Sequence, residues 1–211
     1  MNLSSQRMTD SRLLAALGFI VVAALVWSGI APYERATWVL EVLPAAIALP
    51  ILFFTRKRFP LTTLLYVLIA AHALVLIVGG AWTYARVPFG FWLQELMHLS
   101  RNPYDKIGHF MQGLVPAMLA REILLRRAYL ASKPMAAFLS GCVAMAISAV
   151  YELIEWWTAL AAGGGATEFL GTQGDPWDTQ SDMFFALIGA TVGLLLLARW
   201  HDRQMQRLAG T

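Results

Sequence analysis

Three short stretches of the sequence set ionisable side chains where a helix would bring them together. In YDKIGHF (104–110), Asp105 and His109 are four residues apart, which on a helix puts both on one face, one turn apart, with Lys106 alongside. In YELIEWW (151–157), Glu152 and Glu155 share a face at a spacing of three. In GDPWDTQSDMFF (174–185), Asp178 and Asp182 do so at a spacing of four, with Asp175 about one turn earlier if the helix reaches that far. With Glu168, these are seven of the thirteen acidic residues in the chain. Carboxylates this dense, close to a low-dielectric boundary, either take up protons or recruit positive charge. Lys106 offers one such charge, with Arg86 and Arg101 on the same side, too little for so many carboxylates, and a bound divalent cation would balance them. An oxygen-rich set suits Mg²⁺, Ca²⁺ or Mn²⁺, and the one imidazole, His109, moves the preference toward Mn²⁺ or Zn²⁺. The candidate ligands are therefore Asp105, His109, Asp178 and Asp182, with Asp175 beside them.

An ion held there would activate a bound water or polarise a phosphoryl or carbonyl oxygen. Glu152 or Glu155 would then act as general base, and Lys106 would stabilise developing negative charge. The chemistry implied is that of a metal-dependent hydrolase or transferase. The alternatives are a non-catalytic protein whose carboxylates bind a cation or a proton, as in a sensor, scaffold or transporter, and a network that only caps helices. A transporter carries its polar residues near the bilayer midplane, whereas these stand near one boundary.

The elements that must position these groups belong to a membrane. Of 211 residues, 58% are hydrophobic and 14% charged, and the mean hydropathy is +0.59, far from a soluble mixture. Six stretches are of the length that crosses about 30 Å of hydrocarbon: 13–30, 36–54, 61–85, 107–125, 134–153 and 183–198. The fold class expected is all-α, a polytopic membrane helix bundle forming a single domain over 1–211. The first stretch is longer than the apolar core of a leader, about 7 to 15 residues, so it reads as an anchor. The single cysteine, Cys142, rules out a disulfide framework and a CxxC metal site.

Twelve of the sixteen Lys and Arg residues fall at alternate ends of the spans, around Arg7, Arg56 to Arg58, Arg121 to Lys133 and Arg199 to Arg207. Only Arg35, Arg86, Arg101 and Lys106 occupy the other ends. The positive-inside rule then puts both termini in the cytoplasm and the acidic cluster on the outer face. Spans four and six would start there and span five would end there, so three helix ends converge. Glu152 and Glu155 would sit at a helix C-terminus, whose dipole disfavours anions.

Two outer connections stand out. In 91–101, Trp92, Leu93, Leu96 and Leu99 interleave with Gln94, Glu95, His98 and Arg101 as in a helix lying in the interface. The glycine-rich stretch at 158–179 would act as a lid, with Trp156, Trp157 and Trp177 holding the acyl or glycan part of a lipid or lipid-linked substrate. The partners implied are the lipid bilayer and such a substrate, with no nucleic acid, and the oligomeric state is left open. Gly189 and Gly193 allow close helix approach inside the bundle rather than in a dimer. His72 reads as a residue that hydrogen-bonds a neighbour, with a proton relay as the alternative, Glu41 and Arg121 with Glu122 as interface residues or local pairs, and His201 as part of a polar cytoplasmic tail.

At YDKIGHF, YELIEWW and GTQGDPWDTQSDMFFALIGA (171–190), the chain resembles the YjdF-type bacterial inner membrane proteins over most of its length. More remotely, the order Asp-Lys-x-x-His, Glu-x-x-Glu, Asp-x-x-x-Asp is similar to VanZ-like membrane proteins, associated with glycopeptide resistance. There the last two motifs tend toward Glu-x-x-Gln and Asp-x-x-x-Asn, so Glu155 and Asp182 depart from the pattern. The resemblance implies a multi-pass protein of the bacterial inner membrane and treats the three motifs as one site.

Overall fold

The computed structural model describes residues 3–162 and 172–209; residues 163–171 of the expected lid, with Glu168, Phe169 and Leu170, lie outside the described residues. In chain order come α1 (Leu3–Ile30), α2 (Arg35–Thr55), α3 (Thr63–Ala81), the short α4 (Pro88–Leu96), α5 (Tyr104–Arg126), α6 (Lys133–Ala162) and α7 (Asp178–Val192). A π-helical segment (Gly193–Leu197) joins α7 to α8 (Ala198–Ala209), and the described residues form no strand.

Among the described residues, five helices are long and apolar enough to cross a membrane: α1 from Ser11, α2, α3, α6, and the continuous rod of α7, the π segment and α8. The fourth expected span, α5, has 23 residues and so is long enough, but it carries Asp105, Lys106, His109, Arg121, Glu122 and Arg126. It tolerates them because it packs against α3, α6 and α7 in the middle of the bundle, with Ala117 and Met118 fully buried. Asp105 and Glu122 are 17 residues apart, about 26 Å along the axis, and they join side chains at opposite ends of the bundle. Six segments therefore run between the two ends, as the alternation of charge requires.

The crossing of α5 and α7 is the tightest in the bundle. A Cβ at Gly113 would lie 1.8 Å from the Ala186 carbonyl oxygen, and one at Gly189 would lie 1.9 Å from that of Phe110. Glycine on both helices lets the backbones touch, which fixes the first turns of α5 and α7 side by side.

A buried polar network closes the inner end. Glu122, fully buried, accepts from Thr62 N at 3.0 Å and from Thr62 Oγ1 at 2.8 Å, and it faces His201 Nε2 at 2.7 Å. Arg121 Nη1 can only donate to His201 Nδ1, at 3.4 Å, so Nε2 carries the proton that goes to Glu122. Asp202 takes Arg121 at 2.7 Å and Lys133 at 2.7 Å. This corrects two expectations. His201 is no tail residue, because the helix continues through it and the side chain is fully buried. Arg121 and Glu122 do not pair with each other: Arg121 reaches His201 and Asp202 on α8, while Glu122 bonds Thr62 at the cap of α3, His201 on α8 and Arg126 one turn along α5.

Two boundaries also differ from the pattern of apolar residues. The interfacial helix is Pro88–Leu96, opened by Pro88 in its first turn and ended before His98, whose φ is 53°. Its Phe89, Phe91, Trp92 and Leu96 are exposed, as suits the bilayer surface. In turn, α6 runs to Ala162, so Glu152 and Glu155 lie two turns or more before its end. A helix dipole acts within the last turn, and the penalty expected for these glutamates does not arise.

Candidate functional site

The outer end is built from the first turns of α5 and α7, the last third of α6 and the connection before α5. Asn102 organises that connection. Its Nδ2 donates to the Val87 carbonyl at 3.0 Å, and its Oδ1 accepts from Tyr104 N at 3.0 Å, bonding the start of α4 to the start of α5. Gln173 grips the Asn102 backbone twice, accepting from its N at 3.1 Å and donating to its O at 3.0 Å. The residues leading into α7 are thereby fixed against those leading into α5. Gly90 must lack a side chain, since a Cβ there would lie 1.7 Å from Asn102 Oδ1.

On this frame the charges divide into two groups. In the first, Arg101 Nη2 meets Asp178 Oδ1 at 2.5 Å and Asp175 Oδ2 at 3.2 Å, while its Nη1 donates to the Thr172 carbonyl at 2.7 Å. Burial works against the Arg101 charge, but the hydrogen bond and charge of Asp178, with Asp105 and Asp175, hold it more firmly protonated than a free arginine. Asp175 is not on the helix: it precedes α7 and accepts from Trp177 N at 2.9 Å. Lys106 Nζ links the two groups, at 2.9 Å from Asp178 Oδ1, in contact with Asp182 Oδ1 and 3.5 Å from Asp105 Oδ2.

The second group surrounds His109, which is buried. Its Nε2 is 3.2 Å from Asp105 Oδ1 and 3.7 Å from Asp182 Oδ1. Its Nδ1 is 3.0 Å from Gln112 Oε1 and 3.8 Å from Glu152 Oε1. Asp105, His109 and Asp182 offer three ligand atoms within 4.8 Å of one another, and so do His109, Glu152 and Glu155. Glu152 Oε1 is buried and accepts no hydrogen bond. Nε2 points at two carboxylates: protonated, it donates to Asp105 Oδ1, whereas an Nδ1–H donating to Gln112 Oε1 in the neutral ring leaves Nε2 with its lone pair.

The structure thus brings Asp105, Lys106, His109, Asp178 and Asp182 together with Glu152 and Glu155. It sets Asp175, with Asp178, against Arg101. Three neighbours carried no clear signal in the sequence. Glu41, on α2, is buried and accepts from the Tyr151 hydroxyl at 3.0 Å; the Tyr151 ring centroid is 6.3 Å from that of His109. Tyr84 packs over Gly79 and Gly108 with φ of 48°, and burial together with the charge of Glu41 holds its hydroxyl well above the ordinary phenol range. Only the position of Tyr151, one residue before Glu152, hinted at its part.

Such a bundle, with ionised groups buried at both ends and apolar helices facing outward, is a multi-pass integral membrane protein. The chain belongs to the family described as "Predicted membrane protein (DUF2238)", which matches residues 13–203. It is 60% identical over 183 residues to the inner membrane protein YjdF of Escherichia coli (strain K12), covering 87% of this chain and 88% of that protein. No solved structure matches it. The protein resides in the inner membrane.

Proposed function

We propose that the outer-end cluster centred on His109 binds a divalent cation and uses it in hydrolysis or group transfer on a lipid or lipid-linked substrate at the outer face of the membrane. The observation that supports this reading is the approach of His109 Nε2 to Asp105 Oδ1 and Asp182 Oδ1, at 3.2 and 3.7 Å. An imidazole nitrogen and two carboxylate oxygens turned toward one another call for a cation or a proton among them, and a divalent cation would satisfy all three at once. With one nitrogen and two oxygens, the donor set suits Mn²⁺, Zn²⁺ or Mg²⁺. The ion would supply Lewis acidity toward a phosphoryl or carbonyl oxygen. Glu152, with one oxygen free of hydrogen bonds, would take a proton from water as general base, with Glu155 one turn on. Lys106 keeps Asp178 and Asp182 in place and presents positive charge to an anionic group. Exposed Trp156, Trp157 and Trp177 lie around the same end, where the substrate's apolar part would rest.

The test is titration of detergent-purified protein with Mn²⁺, followed by electron paramagnetic resonance. One Mn²⁺ should bind per chain, and Asp182→Asn and His109→Ala should each weaken it at least about tenfold. If Mn²⁺, Zn²⁺ and Mg²⁺ all fail to bind at millimolar concentration, the metal reading is wrong. Incubation with inner-membrane lipid extract tests the reaction: wild type should consume a component that Glu152→Gln leaves intact while still binding Mn²⁺.

A second reading is favoured by Lys106, whose ammonium already touches Asp105, Asp178 and Asp182. With that charge in place, a proton between Nε2 and Asp105 is enough, and the cluster would store or relay protons. Nitrogen-15 spectra of His109 distinguish the two: a metal abolishes protonation of Nε2, whereas a proton site shows Nε2–H.

A further inference from the structure

A second concave feature lies far from the outer cluster. It is a groove of about 980 Å³ between α1, α2 and α3, at the upper end of ligand pockets, roughly 300 to 1,000 Å³. The helices α1 and α2 are joined at their outer ends, where Trp38 Nε1 donates to Ser28 Oγ at 3.0 Å and the Trp38 ring covers Gly29. Toward the inner end they separate and the groove opens between them, floored by α3.

Its dimensions match one leaflet. On α1 it runs from Ser11 to Val22, eleven steps or about 16 Å, which is half of a hydrocarbon core of about 30 Å. Its walls are apolar along that length. At the cytoplasmic mouth stand Arg56 and Lys57, and no carboxylate lines the groove among the described residues. The Arg56 guanidinium lies on the Phe53 ring, 3.7 Å from its centroid, and donates to the Phe53 carbonyl, which leaves N–H groups directed elsewhere. Gly18 lines the middle of the groove, and a Cβ there would meet no atom within 4 Å.

We propose that this groove holds one anionic phospholipid of the cytoplasmic leaflet, its acyl chains between α1 and α2 and its phosphate against Arg56 and Lys57. Apolar walls one leaflet long call for acyl chains. Two cations at headgroup level with no carboxylate call for a negative head. The lipid would complete the packing of α1, which otherwise rests mainly on α3.

Native mass spectrometry of the full chain released from nanodiscs of phosphatidylglycerol and phosphatidylcholine tests this. One phosphatidylglycerol should stay bound per chain, preferred over phosphatidylcholine by about fivefold for each of the two basic residues, about 25-fold together. The double variant Arg56→Gln, Lys57→Gln should lose that preference and still retain a lipid. Gly18→Phe should lose the lipid while unfolding, once delipidated, at the midpoint of delipidated wild type, since the ring enters space that no atom fills. Equal retention of the two lipids by wild type overturns the anionic assignment. A lipid kept by Gly18→Phe, or a disulfide-linked dimer formed through Gly18→Cys, overturns the groove as its place.

Discussion

At the scale of single residues, the outer cluster is a matter of which acid faces which base. Arg101 carries more of it than its place in a loop implied, since one guanidinium holds Asp175, Asp178 and the Thr172 carbonyl. Replacing it with glutamine should cost about 1.5 to 3 kcal/mol, the range for hydrogen bonds to charged groups, measured by thermal unfolding in detergent. Lysine should recover only part, because a single ammonium cannot make the same forked contacts. Glu34 is a simpler case. It caps α2 by accepting from Ala36 N at 2.9 Å and Thr37 N at 2.5 Å, and those backbone bonds lower its pKa below the ordinary 4.5. Its contribution is complete above pH 4.5 and is lost as pH falls through the lower folded value. Glu34→Ala should cost about 0.5 to 2 kcal/mol at neutral pH, and the gap from wild type should narrow in acid.

At the scale of elements, the contact between α5 and α7 decides whether a site exists. Gly113→Ala and Gly189→Ala each drive a methyl group into a facing carbonyl, at 1.8 and 1.9 Å. Each should destabilise by about 1 to 3 kcal/mol and weaken the proposed cation binding with it, because Asp182 and His109 move apart. Gly18→Ala is the control: it lies in a helix with open space around it and should stabilise by about 0.5 to 1 kcal/mol. The spacing of the three motifs was legible in the sequence, and so was their presence on helices meeting at one end. Illegible was which aspartate would go to a cation on another element. That depends on Asn102 and Gln173, which are 71 residues apart and carry no charge pattern.

At the scale of the whole molecule, the bundle has two charged ends. The outer one gathers carboxylates around His109, and the inner one neutralises Glu122 and Asp202 with Arg121, Arg126 and Lys133. In a Cys142→Ala background, Thr172→Cys should react with a membrane-impermeant maleimide added to spheroplasts. Lys57→Cys should react only after permeabilisation, and the reverse pattern would invert the topology. The sequence by itself determined the membrane class, the long helices that run between the two ends, the interfacial helix and the three motifs. Each of these follows from local apolar periodicity or from counting charge between spans. Tertiary structure decided that α5, too polar to face lipid, crosses in the middle of the bundle. It also decided that His201 is buried against Glu122, 79 residues away, and that His109 faces Asp105 and Asp182 while Arg101 takes Asp175 and Asp178. Those outcomes depend on how deep each helix sits and how far it is rotated, which are fixed where glycine meets a neighbouring backbone and which no spacing along a single chain encodes.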